Sequence, residues 1–131
     1  MDYEKLIKAF NEHNPFTNGI GVRLTDSKED FAAGEIPYSE NITNRNKHVH
    51  GGVYLSFADT LAGAAVHTNG AMYVTQSCSF QFYKATQGET IYGTATIRHR
   101  GRKTCIAATE LRHADGTLVA DGLFSFFKIS E

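Results

Sequence analysis

"KHVHGGVYLSFADTLAGAAVHTNG", residues 47–70, is the stretch whose reading decides the fold. Between Val53 and Val66 nearly every side chain is apolar or small, and the run reads as a helix that ends near Asn69-Gly70, a usual C-terminal stop. A helix apolar on all sides cannot lie with one face in water. The rest of the chain therefore has to surround it. Ala62, Gly63, Ala64 and Ala65 would let a neighbouring backbone approach closely. Two features do not suit a purely structural helix. It begins with Gly51 and Gly52, which offer no obvious capping side chain, so the first backbone N–H groups, at the positive end of the helix dipole, are left for an outside acceptor. It also carries one carboxylate, Asp59, in its middle, with no Lys or Arg within a turn. A carboxylate there costs stability unless it is paired or reaches a cavity.

The flanking sequence supplies the wrapping. Residues 2–13 read as a short amphipathic helix with Tyr3, Leu6, Ile7 and Phe10 on one face and Glu4 placed to pair with Lys8. Pro15 and Gly19 of "NPFTNG" are expected to end it. "IGVRLTD" and "FAAGEIPYS" read as a first hairpin turned at "SKED". Beyond Gly70 the period changes to two. "YVTQSCSFQFYK", "TIYGTATIRHR", "KTCIAATELRH" and "LVADGLFSFFKI" read as four strands of a meander, with turns at "ATQGE", Gly101 and "ADGT". The expected organisation is a single domain, 1–131: helix, hairpin, long helix, meander. The expected class is α+β, a curved antiparallel sheet around a central helix.

Composition narrows the function. The chain is 41% hydrophobic and 21% charged with a formal net charge of −1, which argues against bulk attraction to nucleic acid or an anionic membrane. No apolar run approaches the roughly 20 residues of a membrane span. "MDYEKLIKAF" mixes both charge signs too early for a secretory signal. Cys78 and Cys105 fall in strand-like runs, suit neither a disulfide framework nor a zinc site, and read as buried packing residues of a cytoplasmic protein. His48 and His50 alone give no metal-ligand set, so no metal and no separate cofactor are expected.

Helix geometry carries the chemistry further. The free donors at Gly51 and Gly52 suit an oxyanion developing on a carbonyl, and Asp59 suits a general base or nucleophile. Eight positions along a helix separate Gly51 from Asp59 by about 12 Å, too far to share one reacting carbonyl. Two helices packed antiparallel across a two-fold axis would bring Gly51 of one chain to Asp59 of the other, so an obligate homodimer with two composite sites is expected.

"HGGVYLSFADTLAGAA" resembles the signature of hotdog-fold acyl-CoA thioesterases of the phenylacetate-pathway (PaaI-like) type. The family pattern is an Asn, then His-Gly-Gly, then Ala-Asp on the central helix, here Asn44, His50, Gly51, Gly52, Ala58 and Asp59. The resemblance continues through "SCSFQFYKATQGETIYGTATIRHRGRKT" and spans residues 15–129. It implies a hotdog fold and hydrolysis of an acyl-CoA small-molecule substrate to the acid and CoA. Asp59 would be base or nucleophile, the Gly51 amide would polarise the thioester carbonyl beside Gly52, Asn44 would orient water or substrate, and His50 would support the loop or thioester end. Thr75 best matches a Ser or Thr that some relatives carry after the helix, with Ser77 second. A homotetramer is implied by analogy. Arg98, Arg100, Arg102 and Lys103 read by default as a solvated hairpin tip; the resemblance permits Arg100, Arg102 and Lys103 to bind CoA phosphates.

Three other functions compete. A hotdog hydratase is disfavoured because neither "HFPxxP" nor "DxxPxH" occurs. A non-catalytic acyl-CoA binder is disfavoured by the joint presence of Asn44, Gly51 and Asp59, and an acyl-carrier-protein thioester stays open as the substrate. Tyr54, Phe57, Phe80, Phe82 and Tyr83 would line an aryl pocket or fill the core.

Overall fold

A computed structural model describes residues 1–131. The long helix, α3, runs Gly51–Val66, continues as a 3-10 turn His67–Asn69 and stops at Gly70, whose φ of +83° suits glycine. Before it come α1 (Tyr3–His13), α2 (Pro15–Ile20), β1 (Arg23–Lys28) and β2 (Phe31–Ile36). After it come β3 (Met72–Phe82), β4 (Ile91–Arg100), β5 (Thr104–Arg112) and β6 (Leu118–Ser130). The strands form one antiparallel sheet in the order β1-β2-β4-β5-β6-β3.

That order corrects the expected four-strand meander. Only β4, β5 and β6 follow one another as neighbours; β3 lies at the far edge, beside β6. "ATQGE" is therefore part of a crossover and not a hairpin turn. As an edge strand β3 is exposed along most of its length, and Cys78 is exposed with it, whereas Cys105 on interior β5 is buried as expected. Burial pushes the Cys105 thiol pKa up.

Three expectations in the N-terminal part of the chain also change. Pro15 does not simply end α1. Asp2 caps α1 by accepting from the Lys5 N–H, Asn14 breaks it, and Pro15 then opens α2, because proline has no N–H to lose in a first turn. The stop comes at Gly21, with φ +91°. No ion pair joins Glu4 to Lys8. The first hairpin turns at Glu29-Asp30, and Ser27 belongs to β1 with its side chain buried.

The sheet curves around α3, which fully buries Phe57, Ala58, Leu61, Ala62, Ala65 and Val66. Leu61 seats in a notch made by two glycines paired across β2 and β4, Gly34 and Gly93. A Cβ on Gly93 would stand 2.5 Å from Leu61 Cδ1 and 2.8 Å from Leu111 Cδ2, so helix and sheet approach this closely only over bare backbone. Enclosure is not complete, however. Leu55, Ser56, Asp59, Thr60 and Gly63 recur at helical spacing as a half-buried stripe along α3. Asp59 lies at the middle of that stripe, half-buried and not buried.

Candidate active site

The site is built around α3. At its start His50 is extended (φ −62°, ψ 136°) and its imidazole Nδ1 accepts the Gly52 N–H at 2.8 Å. The helix thus has a side-chain cap, contrary to the reading of "HGG", and the cap is a histidine. Gly52 makes room for it: a Cβ there would lie 3.0 Å from His50 Nδ1. The Val53 N–H bonds the His50 carbonyl. The Gly51 N–H has no acceptor in the chain and stands exposed at the positive end of a 16-residue helix.

Asn44 shapes the approach to that end. Its Oδ1 accepts from the backbone N–H groups of Asn46 and His48, and its N–H donates to the His48 carbonyl at 2.7 Å. Its Nδ2 makes no hydrogen bond within the chain. The crossover packs alongside. A hollow of about 390 Å³ beside Gly51 is lined by Val49, Tyr54, Phe82, Tyr83, Lys84 and Ala85. Phe82 and Tyr83 are exposed there, Tyr54 is buried at its base, and Phe57 is pure core.

A buried polar chain fixes the crossover, and nothing in the sequence pattern marked it. The Tyr54 hydroxyl donates to the Lys84 carbonyl at 2.9 Å and also contacts Thr86 Oγ1, which contacts His113 Nε2 at 2.8 Å. Tyr54 has one proton, given to Lys84, so Thr86 donates to Tyr54 and His113 donates to Thr86. The other His113 nitrogen faces Glu89 at 3.7 Å. Burial raises the Tyr54 pKa; the Thr86 bond opposes this and the Glu89 charge adds to it, so the phenol stays a neutral donor. Thr86 also accepts the Val49 N–H on its carbonyl, tying the crossover to the segment that leads into α3.

Midway along α3, Asp59 accepts a hydrogen bond from Thr75 Oγ1 at 2.8 Å. Thr75 stands on β3, so the edge strand orients the carboxylate. Ser77, the second candidate, makes no such contact. Asp59 forms part of the wall of a chamber of about 490 Å³ lying between α3 and the N-terminal helices. Within one chain Asp59 and Gly51 stay two helical turns apart.

The basic turn divides. Arg100 is directed inward: it pairs with Asp30 at 2.8 Å and donates to the Val66 carbonyl, the Ala65 carbonyl and the Tyr73 hydroxyl. It closes the C-terminal end of α3. Arg102 and Lys103 are exposed and have no carboxylate partner. No three His, Cys, Asp or Glu side chains are placed to hold a metal ion, and no helix is long and apolar enough to cross a membrane.

Residues 46–120 match the sequence profile of the thioesterase superfamily. The acyl-coenzyme A thioesterase PaaI of Escherichia coli K12 is 26% identical over 113 residues, which cover 86% of this chain and 81% of that protein. The structure of the E. coli PaaI protein from the phenylacetic acid degradation operon superposes with a TM-score of 0.91 at 24% identity, covering 97% of this chain and 93% of that one. A hypothetical thioesterase from Streptococcus pneumoniae TIGR4, crystallised with coenzyme A, gives a TM-score of 0.81 at 20% identity over 85% of this chain and 90% of that one. Two further structures of that protein carry single alanine replacements, one at an aspartate and one at a threonine. The superpositions establish the expected hotdog architecture.

Proposed function

The chain belongs to the thioesterase superfamily, and from that premise we propose that it hydrolyses acyl-CoA thioesters at sites shared between two copies. The observation that carries this reading is the carboxylate of Asp59, set mid-helix on the open stripe of α3, oriented by Thr75 and facing a chamber. The aspartate and threonine replaced in the Streptococcus pneumoniae thioesterase are separated by 16 positions, as are Asp59 and Thr75.

In this mechanism Asp59 takes a proton from water as the water oxygen adds to the thioester carbonyl. The oxyanion is met by the unpartnered Gly51 N–H of a second copy. The C–S bond then breaks; CoA departs as thiolate and takes up a proton, leaving the free acid. In the alternative route Asp59 itself adds to the carbonyl, CoA departs, and water cleaves the mixed anhydride. Single-turnover hydrolysis in ¹⁸O-water separates them, since only the anhydride route can carry label into the Asp59 side chain. Asn44 Nδ2 is free to orient water or substrate, and His50 holds Gly52 so that the Gly51 donor keeps its direction. Gly52 itself, lacking a side chain, leaves the thioester room. Arg102 and Lys103 supply positive charge for the CoA phosphates.

A dimer follows from the same features. β3 pairs with β6 on one side only, and its 11 residues present an open edge, the kind of edge that proteins cover or pair. Pairing β3 with a second β3 would set two α3 helices side by side.

The test is thiol release from short, medium, long and aryl acyl-CoAs by the wild type and by Asp59→Asn. The wild type is expected to turn over at least one class, and Asp59→Asn to lose at least about 10²-fold in kcat. Equal release by both proteins would remove Asp59 from the chemistry.

A further inference from the structure

The crossover from β3 to β4 is held by one residue. Over residues 85–90 it makes a single backbone–backbone hydrogen bond, in which the Thr86 carbonyl accepts the Val49 N–H at 2.9 Å. Ala85, Gln87, Gly88 and Glu89 are exposed, whereas Thr86 is fully buried. A hydroxyl buried in this way costs stability unless it has partners. Thr86 has two: its hydroxyl donates to the Tyr54 hydroxyl and accepts from His113 Nε2 at 2.8 Å.

His113 is the fixed end of this chain. It is buried at the turn between β5 and β6, where its N–H bonds the Thr117 carbonyl and its own carbonyl accepts the Gly116 N–H, both at 3.0 Å. The other end is the first turn of α3. There Tyr54 donates onward to the Lys84 carbonyl, and its ring stacks on Phe82 with centroids 6.2 Å apart. Thr86 thus grips the main chain on both sides of Gly51. Its carbonyl holds Val49, two residues before, and its hydroxyl holds Tyr54, three residues after. The Gly51 N–H itself has no acceptor. Two more bonds flank it, His50 N–H to the Ile42 carbonyl and Gly52 N–H to His50 Nδ1, and both lie within residues 42–52. Thr86 is what joins this segment to the crossover and, through His113, to the end of β5.

We propose that Thr86 and His113 are positioning residues for the reaction: the buried chain fixes the start of α3 against the crossover and so aims the Gly51 N–H at the oxyanion. The inference rests on the thioesterase reading above and adds two residues to it. Neither lines the hollow beside Gly51, so each acts from behind the donor and not on the substrate. Aim matters because a misplacement of about 1 Å can cost about 10²-fold in rate. The oxyanion exists only in the transition state, so a misdirected donor lowers kcat and leaves substrate binding in place.

The experiment measures kcat and KM for acyl-CoA hydrolysis in Thr86→Val, Thr86→Ser, His113→Gln and His113→Asn, and in Thr86→Val combined with Gly51→Pro. ¹H–¹⁵N spectra are recorded on the single Thr86 and His113 variants. Thr86→Val keeps the shape and deletes the hydroxyl; kcat should fall by about tenfold or more with KM nearly unchanged. Thr86→Ser keeps the hydroxyl and should recover most of the loss. His113→Gln sets an amide N–H where Nε2 stood and should stay near wild type, whereas the shorter His113→Asn should not. In the Gly51→Pro background Thr86→Val should cost nothing further, because the donor it aims is gone and residues acting through one group are not additive. The Gly51 amide resonance should move in Thr86→Val and return in Thr86→Ser. Full kcat in a folded Thr86→Val protein overturns the proposal. So does a loss confined to KM, a Thr86→Ser protein no better than Thr86→Val, or a loss that adds in full to that of Gly51→Pro, as general support of the fold would give. Should Thr86→Val not fold, Tyr54→Phe, which keeps the ring and breaks the same chain at α3, is read by the same criteria. If the wild type hydrolyses no thioester, the hydrolase reading fails and the spectra decide the rest. A Gly51 resonance that follows the hydroxyl of residue 86 upholds the positioning, and one that ignores it overturns the positioning as well.

Discussion

The two ends of α3 are finished in opposite ways. At the C-terminal end the carbonyls are taken: Gly63 by His67, Ala65 by Thr68 and Arg100, Val66 by Arg100, and His67 by the Gly70 N–H. A guanidinium, a hydroxyl and an imidazole converge there, and the positive charge lies where the helix dipole is negative. At the N-terminal end His50 satisfies Gly52, and the Gly51 N–H is left with nothing. No charged side chain of the chain balances that end. Gly51 is exposed, so its free N–H is open to an outside acceptor, and it is this donor that the proposed mechanism uses.

The largest test closes the open end. Gly51→Pro removes the free N–H and sets a ring carbon on the nitrogen where the hydrogen was. Proline is favoured at the first helical position, and His50, at φ −62° and ψ 136°, already has the conformation a following proline requires. A Cβ at residue 51 meets nothing nearer than Phe82, at 3.6 Å. Folding should be unaffected, while kcat for acyl-CoA hydrolysis should fall by about 10²–10³, the usual consequence of losing one oxyanion donor. Full activity in a well-folded Gly51→Pro protein would mean that the open end is not part of the chemistry.

The same contrast shows what the sequence could reveal. The stop at Gly70, the buried body of α3 and the isolation of Asp59 were legible because they depend on residues within a few turns. The resemblance made Thr75 legible as well, and the structure puts it in hydrogen-bond contact with Asp59, 16 positions away. The closed end was not legible. Arg100 is 70 positions from Asp30 and 34 from Val66, and in the sequence it looks like one more charge in "RHRGRK". The place of β3 was hidden for a similar reason: alternation announces a strand but not its neighbours, so the exposure of Cys78 and the crossover pinned by Thr86 were invisible. Two misses had a local signal. Proline at the start of "PFTNGI" is a helix opener as readily as a breaker. A histidine before two glycines can cap through Nδ1, although capping preferences favour Ser, Thr, Asp and Asn.

Opening the closed end should act on stability. Arg100→Lys keeps the charge but cannot span Asp30, two helix carbonyls and Tyr73 at once, because an ammonium lacks the planar fork. Chemical denaturation should show a loss of about 2 kcal/mol, with turnover per folded molecule close to wild type. A turnover loss comparable to that of Gly51→Pro, at unchanged stability, would mean that this end also serves the reaction.

The smallest effect is expected at His50, and it separates a cap from a reagent. His50→Ala frees the Gly52 N–H and should cost about 1 kcal/mol, as for other lost N-caps. Hydrogen exchange at the Gly52 amide should accelerate with it. His50→Asn replaces the acceptor with another capping side chain and should recover most of both effects. If His50 acts only by satisfying Gly52, and so leaving Gly51 as the single oriented donor, activity should follow stability: reduced in His50→Ala and recovered in His50→Asn. An imidazole that took part in proton transfer would be replaced by neither. Activity lost equally in both variants, with the cap restored in only one, would move His50 from holding the open end to working at it.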